Sequence, residues 1–255
     1  MLRVGPALLA LTTLAALTGC AAATPATASG ITKQATVDVY AAASLTDVFT
    51  QLGTEFEAGH PGVKVTLTFA GSSELAAQIN ELAPADVFAS ANEAQMEVAR
   101  EHILGGPQVF TQNALAIAIA NGNPLGIRSL ADLARKDVVT VLCAEQVPCG
   151  SAAAALFAAA RVRVSPASEE ANVTDVLGKV ASGEADAGLV YVTDLARAHG
   201  VEGIAIPNTE AAANRYPIAV MDTGDAPDAA ASFVAFVESA QGQAVLTAAG
   251  FQGAS

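Results

Sequence analysis

The chain has 255 residues, 52% of them hydrophobic, and a formal net charge of −13 from 25 acidic and 12 basic side chains. A chain of this length can bury one large core or two modest ones. The acidic balance excludes nucleic acid as an expected partner, because the neutralisation of phosphates requires a basic face.

The first twenty residues predict export. Met1-Leu2-Arg3 gives a short charged start, and the run from Val4 to Leu17 is apolar. The segment Leu17-Thr18-Gly19-Cys20 resembles a bacterial lipobox, so we predict a lipoprotein signal peptide over 1–20 and a lipid on Cys20 that anchors an extracytoplasmic protein to the cell membrane. An ordinary cleavage site beside a chance cysteine is the alternative. Residues 21–33, rich in Ala, Thr, Ser and Pro, predict a flexible tether.

Beyond the tether, strand and helix patterns alternate, which predicts an α/β fold with mostly parallel sheets flanked by helices. The predicted strands cover 36–40, 63–69, 86–90, 138–142, 187–191 and 215–220. Helices are predicted after 44, after 72, and over 93–101, 150–160, 172–180, 227–240 and 241–249. A long apolar stretch over 114–120 indicates a crossing into a second lobe, and the strand over 215–220 indicates the return. We therefore predict lobe I over 34–113 and 214–255 and lobe II over 114–213.

Several predicted strands run directly into helices through small polar residues. Ser44 stands where an N-cap belongs, with Asp47 in the first turn. A helix N-terminus presents free N–H groups and the positive end of the helix dipole, which together favour an anion. The pattern recurs at Ser72, Cys149–Gly150, Asn172-Val173 and Tyr191. Each junction alone is more typical of a plain helix cap, but two lobes would bring them together at one cleft, where α/β sheets bind ligands.

Two cysteines remain if Cys20 carries a lipid. Because export places Cys143 and Cys149 in an oxidising compartment, we predict that they form a disulfide. So short a loop gains about 2 kcal/mol from the bond. Two alternatives stay open: small apolar residues that never meet, or an exported thiol enzyme with Cys149 as nucleophile and Cys143 as resolving partner.

Few residues suggest catalysis. His60, His102 and His199 have no metal-ligand spacing with cysteines or carboxylates. Nucleophile-elbow, P-loop and dinucleotide motifs do not occur in the sequence. We therefore predict a binding protein that is not an enzyme, uses no cofactor and coordinates no metal directly through its side chains.

Five segments together resemble the periplasmic molybdate-binding proteins of ABC importers, in the same order and spacing. They are Ala41-Ala42-Ala43-Ser44-Leu45, Phe69-Ala70-Gly71-Ser72-Ser73, Ala83-Pro84-Ala85-Asp86-Val87-Phe88, Val147-Pro148-Cys149-Gly150 and Gly188-Leu189-Val190-Tyr191. The resemblance runs from about Val37 to the C-terminus. It implies the type II periplasmic-binding-protein fold, with two lobes joined by two crossing hinge segments.

The resemblance also implies a ligand set. An oxyanion would be held by the hydroxyl and N–H of Ser44 and Ser72, the N–H of Cys149 and Val173, and the hydroxyl of Tyr191. The chain departs from the family in having a cysteine at 149, where only the backbone donates. It also has Gly71 where the family commonly has a serine, which removes one nearby hydroxyl.

The resulting functional prediction is a monomeric lipoprotein that captures molybdate or tungstate in the cleft and delivers it to an ABC permease. The metal is then bound as its oxyanion. Phosphate is partly protonated at neutral pH and would need an acceptor, and no carboxylate falls at the aligned positions, so we expect it to bind poorly. The alternatives are the same fold binding sulfate or another small oxyanion, and a non-transport lipoprotein that serves as an adhesion or scaffold module.

Overall fold

The computed structural model of the chain describes residues 1–2, 35–209 and 212–254. The chain divides into two compact units, Met1–Thr32 and Lys33–Ser255, and only Met1 and Leu2 of the first are described. The rest of the predicted signal peptide, the predicted tether and Cys20 therefore lie outside the described residues. All that follows concerns the second unit.

Strands and helices alternate along this unit. The strands are β1 (Ala35–Ala42), β2 (Val63–Ala70), β3 (Val87–Ala89), β4 (Ile103–Asn113), β5 (Leu115–Ala120), β6 (Thr140–Cys143), β7 (Ser168–Glu170), β8 (Ala187–Tyr191), β9 (Val201–Ala205), β10 (Asn214–Met221) and β11 (Gln252–Gly253). The α-helices are α1 (Thr46–Gly59), α2 (Ser72–Asn80), α3 (Glu93–Val98), α4 (Pro148–Ala160), α5 (Val173–Ser182), α6 (Val192–Arg197), α7 (Pro227–Glu238) and α8 (Ala240–Ala248). Among the described helices, none combines the length and apolar composition that crossing a bilayer requires.

The strands form two sheets flanked by helices. The six-stranded sheet has the order β11-β4-β10-β3-β1-β2, and the five-stranded sheet has the order β7-β6-β8-β5-β9. We call the first sheet, with α1, α2, α3, α7 and α8, lobe I, and the second sheet, with α4, α5 and α6, lobe II. The chain enters lobe II between β4 and β5 and returns between β9 and β10. This confirms the predicted two-lobed α/β fold with two crossings, while the exact predicted boundaries at 113/114 and 213/214 stay predictions.

The sheets are mixed rather than mostly parallel as predicted. Among the described strands, β1 pairs in parallel with β2 and β3, and β6 pairs in parallel with β7 and β8. The strands on either side of the crossings, β4, β5, β9 and β10, pair antiparallel with their neighbours. Helical crossovers produce parallel neighbours. Of the four crossing strands, only β10 and β5 are reversed: β10 runs opposite to β3 and β4, and β5 runs opposite to β8 and β9.

The sequence did not predict β4, β7, β9, β11 or α6, and it indicated β5 only as an apolar stretch. Strand β4 spans 11 residues and pairs with both β10 and β11. Its first half contains Gly105, Gly106 and Pro107, which normally argue against a strand interior. The pairing with β10 contains register shifts. Tertiary pairing therefore overrides the local composition here.

An aromatic cluster connects the core of lobe I to the cleft. The predicted apolar stripe of α1 is buried, and its Phe49 makes an edge contact with Phe110 at 5.8 Å between ring centroids. Phe110 contacts Tyr216 at 6.5 Å, and Tyr216 contacts Tyr191 at 5.9 Å, again edge to face. Such contacts restrict ring orientation. The two tyrosines are therefore held by the core rather than by solvent-exposed loops.

Candidate functional site

The residues predicted to contact a ligand line one small pocket between the lobes. Ser44, Ser72, Cys149, Val173 and Tyr191 all border a cavity of about 20 Å³. A site for a drug-sized organic molecule has about 300–1,000 Å³, whereas about 10–15 Å³ suffices for one water. Among the described residues that line the pocket, none carries a formal charge. In this arrangement the pocket suits a very small polar ligand.

Three helix N-termini meet at this pocket. Ser72 is the first residue of α2, Cys149 is the second residue of α4, and Val173 is the first residue of α5. The N–H groups in the first turn of a helix have no acceptor within that helix, and they carry the positive end of its dipole. The pocket therefore concentrates positive electrostatic potential without any cation.

Local sequence explains why two of these helices begin where they do. Pro148 occupies the first turn of α4, where its missing N–H costs nothing. Asn172 caps α5, and its Oδ1 accepts a hydrogen bond from the N–H of Asp175 at 3.1 Å, as the sequence predicted. Because this cap satisfies the Asp175 amide, it does not use the N–H of Val173.

The prediction that Ser44 is the N-cap of α1 is wrong. Ser44 lies inside a short 3-10 turn, Ala43–Leu45, and α1 begins at Thr46, whose Oγ1 donates to the carbonyl of Ala43 at 2.7 Å. The hydroxyl of Ser44 lies 3.0 Å from that of Tyr216. Ser44 thus turns its buried side chain towards the cleft, and Thr46 makes the local backbone contact instead.

The hydrogen bonds of the serines favour donation into the pocket. Ser72 Oγ accepts from the N–H of Ala91 at 2.9 Å, which leaves its own hydrogen to donate. When Tyr216 donates to Ser44 Oγ, the hydrogen of Ser44 is available in the same way. Both hydroxyls can therefore act as donors to an anion.

The hydroxyl of Tyr191 is the most informative atom of the pocket. It is buried and makes no hydrogen bond of acceptable geometry to any described residue, although the hydroxyl of Tyr216 is close enough to contribute to its raised pKa. Burial raises the pKa of Tyr191 well above the ordinary value, and it also raises the pKa of Tyr216. Both phenols therefore stay protonated at neutral pH. A buried polar group left without a partner costs about 1–3 kcal/mol, so a ligand that accepts from Tyr191 recovers free energy.

Two glycines permit close approaches around the pocket. A Cβ atom at Gly71 would lie 2.5 Å from the carbonyl oxygen of Ala171 in lobe II. In this arrangement of the lobes, therefore, no side chain fits at position 71. A Cβ atom at Gly150 would lie 1.9 Å from the carbonyl oxygen of Ala144, so only glycine lets α4 begin so close to that turn.

A disulfide joins Cys143, at the end of β6, to Cys149 in the first turn of α4. Both residues are buried. With both sulfurs in the bond, neither cysteine offers the thiol that the exported-enzyme alternative needs. Cys149 borders the pocket, where its backbone N–H is the group suited to an anion.

Two residues of the site escaped the sequence analysis. Tyr216, the partner of Ser44, lies on the returning strand β10. Asn214, at the start of the same strand, donates through Nδ2 to the carbonyls of Ala91 at 2.9 Å and Pro148 at 3.2 Å, and both of these border the pocket. The sequence did contain a signal for them, because both are polar residues on the strand by which the chain returns to lobe I.

Other parts of the described chain offer less chemistry. Among the described residues, no group of three or more His, Cys, Asp or Glu side chains is placed to hold a metal ion. A cavity of about 520 Å³ on lobe II is larger than the cleft pocket, but apolar residues such as Ile117, Leu156 and Ile206 line most of it. The convergence of donors, rather than volume, singles out the cleft.

The fold and the cleft are those of a solute-binding protein, and the chain belongs to that class. A family model described as bacterial extracellular solute-binding protein matches residues 37–252. The molybdate-binding protein ModA of Mycobacterium tuberculosis is 47% identical over 243 residues, which cover 93% of each chain. ModA of Escherichia coli is 30% identical over 213 residues, which cover 73% of this chain and 77% of that protein.

Solved structures agree on the fold. The periplasmic molybdate-binding protein of Azotobacter vinelandii superposes with a TM-score of 0.73 at 21% identity, covering 86% of this chain and 100% of that one. The sulfate-binding protein SubI of Mycobacterium tuberculosis also gives 0.73, at 16% identity, covering 86% and 87%. These comparisons confirm the predicted resemblance. Membership in a family of solute-binding proteins also confirms the prediction of a binding protein rather than an enzyme.

Proposed function

We propose that this extracytoplasmic protein captures molybdate in the pocket between its lobes and delivers it to an ABC permease. The observation that carries the proposal is the buried, unpartnered hydroxyl of Tyr191 at a pocket where three helix N-termini meet. Relatives at 47% and 30% identity are molybdate-binding proteins, which supports the same ligand here.

The chemistry of the pocket matches a fully deprotonated oxyanion. Molybdate is a dianion at neutral pH, and its oxygens only accept hydrogen bonds. The proposed donors are the hydroxyls of Ser44, Ser72 and Tyr191 with the N–H groups of Ser44, Ser72, Cys149 and Val173. A hydrogen bond to a charged group contributes about 1.5–3 kcal/mol. Micromolar affinity requires about 8 kcal/mol after an association cost of about 4 kcal/mol or more, and six or seven such bonds meet that requirement.

Selectivity follows from the same donor set. Phosphate carries a proton for part of the time at neutral pH and would place it against another donor, so we expect weak binding. Sulfate matches molybdate in charge and shape but is smaller, so its bonds across the pocket would be longer. Tungstate is nearly the same size as molybdate and should bind comparably.

Contacts from both lobes imply a closure mechanism. An anion held by Ser44 and Ser72 of lobe I and by Val173 and Tyr191 of lobe II stabilises the closed arrangement over an open one. The closed lobes would then present a joint surface to the permease. We further propose that the protein acts as a monomer, anchored through a lipid on Cys20 at the end of the Leu17–Cys20 segment.

A titration of the mature chain with four oxyanions tests the proposal. Isothermal calorimetry with molybdate, tungstate, sulfate and phosphate should give micromolar or tighter binding for the first two and at least tenfold weaker binding for the others. Sulfate binding as tight as molybdate binding would assign the pocket to the smaller anion. Heat from none of the four would reject oxyanion capture and favour the scaffold alternative.

A further inference from the structure

The turn enclosed by the disulfide makes a direct contact across the cleft. We call residues 144–148 the cysteine loop, because Cys143 and Cys149 bracket it. The carbonyl oxygen of Gln146 in this loop accepts hydrogen bonds from two side chains of lobe I. Gln95 on α3 donates through Nε2 at 2.9 Å, and Ser73 on α2 donates through Oγ at 3.3 Å. These contacts do not involve the ligand.

The cysteine loop is held rigidly within lobe II. The N–H of Val147 donates to the carbonyl of Ala144 at 3.0 Å, and the N–H of Ala144 donates to the carbonyl of Glu170 on β7 at 2.9 Å. The disulfide ties the two ends of the loop together. With the turn fixed in this way, the carbonyl of Gln146 stays aimed at α2 and α3 rather than rotating into solvent.

The same loop ends at the pocket. Cys149 and Pro148 both border the cavity, and the carbonyl of Pro148 accepts from Asn214 on the returning strand. The cysteine loop therefore carries the carbonyl that accepts from lobe I. It also leads directly into the first turn of α4, where Cys149 borders the pocket. A change in the loop alters the contact between the lobes and the position of a ligand donor together.

We propose that Gln95, assisted by Ser73, positions the lobes for closure by donating hydrogen bonds to the carbonyl of Gln146 in the cysteine loop; we call this contact the grip. The Cys143–Cys149 disulfide keeps the loop in the conformation that allows the contact. This inference rests on the proposed function, because it assigns to the same cleft a ligand-independent contribution to affinity. Since the Gln146 contacts require the lobes to be together, they increase the closed population, and apparent affinity rises with that population.

The variant Gln95→Met tests the grip. It removes the Nε2 donor while keeping side-chain length and helix propensity, and the N–H of residue 95 can still bond to Oδ1 of Asn92. We expect the Kd for molybdate to rise about two- to tenfold, mainly through faster dissociation, as the loss of an ordinary hydrogen bond predicts. The matched control is Gln78→Met, because the Gln78 amide donates to Glu74 within α2, at 3.2 Å, and to no other described residue. This variant should bind as the parent does. Equal Kd values for Gln95→Met and the parent would overturn the proposal.

The role of the disulfide is tested by combining this change with Cys143→Ala and Cys149→Ala. If the bond shapes the loop, the cysteine-free protein binds more weakly, and adding Gln95→Met changes its Kd by less than twofold. If Gln95→Met weakens both backgrounds by the same factor, the disulfide has no part in the grip. Should the cysteine-free protein not fold, the parent and Gln95→Met are compared after dithiothreitol treatment, in which the disulfide becomes two thiols as dithiothreitol is oxidised to its cyclic disulfide.

The two proposals fail in distinguishable ways. A parent protein that does not bind molybdate contradicts the proposed function and leaves the grip to be measured with whichever of tungstate, sulfate or phosphate it does bind. A parent that binds molybdate, with an affinity that Gln95→Met leaves unchanged, supports the function and contradicts the grip.

Discussion

The hydroxyl of Tyr216 lies 3.0 Å from the hydroxyl of Ser44, although 172 residues separate them in the sequence. Tyr216 is fully buried on β10, and Ser44 lies in the turn between β1 and α1. The contact joins the strand that returns from lobe II to the first strand-to-helix junction of lobe I. When Tyr216 donates in this contact, the hydrogen of Ser44 is available to the pocket.

Replacing Tyr216 with phenylalanine should therefore weaken molybdate binding, although Tyr216 is not among the proposed ligand donors. We expect the Kd for molybdate to rise about tenfold, because Ser44 loses the partner that orients it, and the free energy of unfolding to fall by about 1 kcal/mol. Calorimetric titration and urea unfolding measure the two effects. Tyr40→Phe, outside the pocket lining, is the matched control; an identical loss of affinity in both variants would contradict a specific role for Tyr216.

Tyr191→Phe should change binding and stability in opposite directions. The loss of a charge-assisted bond should raise the Kd for molybdate about 10- to 100-fold. The ligand-free protein should be as stable as the parent or more stable, because the variant removes a buried hydroxyl without a described partner. Thermal unfolding with and without molybdate measures both quantities. A variant that unfolds earlier without ligand would indicate that the hydroxyl has a structural partner instead.

Ser44→Ala should also weaken binding while the protein remains folded. The variant removes one donor hydroxyl, so the Kd should rise about tenfold or more. Thermal unfolding of the ligand-free variant checks that the fold is retained. If Ser44→Ala and Tyr191→Phe both bind molybdate as the parent does, the ligand site lies elsewhere.

A serine at position 71 should impair closure. The new Cβ would meet the carbonyl oxygen of Ala171 at 2.5 Å, so the lobes of Gly71→Ser cannot approach as closely. We expect this steric conflict to make closure less favourable by at least about 1.4 kcal/mol, so that molybdate binds at least tenfold more weakly. Gly178→Ser on α5 is the control, because a Cβ there meets nothing within 4 Å. Parental affinity in Gly71→Ser would mean that the binding-competent closure is looser than the described arrangement.

The buried tyrosines predict how stability responds to alkaline pH. Burial raises the pKa of Tyr191 and of Tyr216 above the ordinary value of 10.0. Above pH 10 the unfolded chain releases these protons and the folded protein retains them, so stability is full below pH 10 and falls as the pH rises further. Each tyrosine contributes a slope of about 1.4 kcal/mol per pH unit. Urea unfolding between pH 9 and 11 should show this fall in the free energy of unfolding, and the fall per pH unit should be smaller in Tyr191→Phe. An unchanged fall in that variant would contradict a raised pKa for the buried hydroxyl of Tyr191.

Sequence reasoning succeeded where local chemistry decides structure. The Asn172 cap with Asp175 in the first turn and the apolar stripe of α1 are local patterns, and the structure contains both. It failed where tertiary contacts decide. Strand β4 continues past Gly105, Gly106 and Pro107 because β10 pairs with it on both sides of that segment. The hydroxyl of Ser44 contacts Tyr216 and does not cap α1. A single sequence does not reveal which residues so distant along the chain will pair with one another.

Crystals grown with molybdate offer the most direct measurement, because molybdenum scatters anomalously. An anomalous difference map should show one peak between the lobes, with ligand oxygens at hydrogen-bond distance from the hydroxyls of Ser44, Ser72 and Tyr191 and from the N–H of Val173. A peak elsewhere on the protein, or none at saturating molybdate, would contradict capture by these uncharged donors.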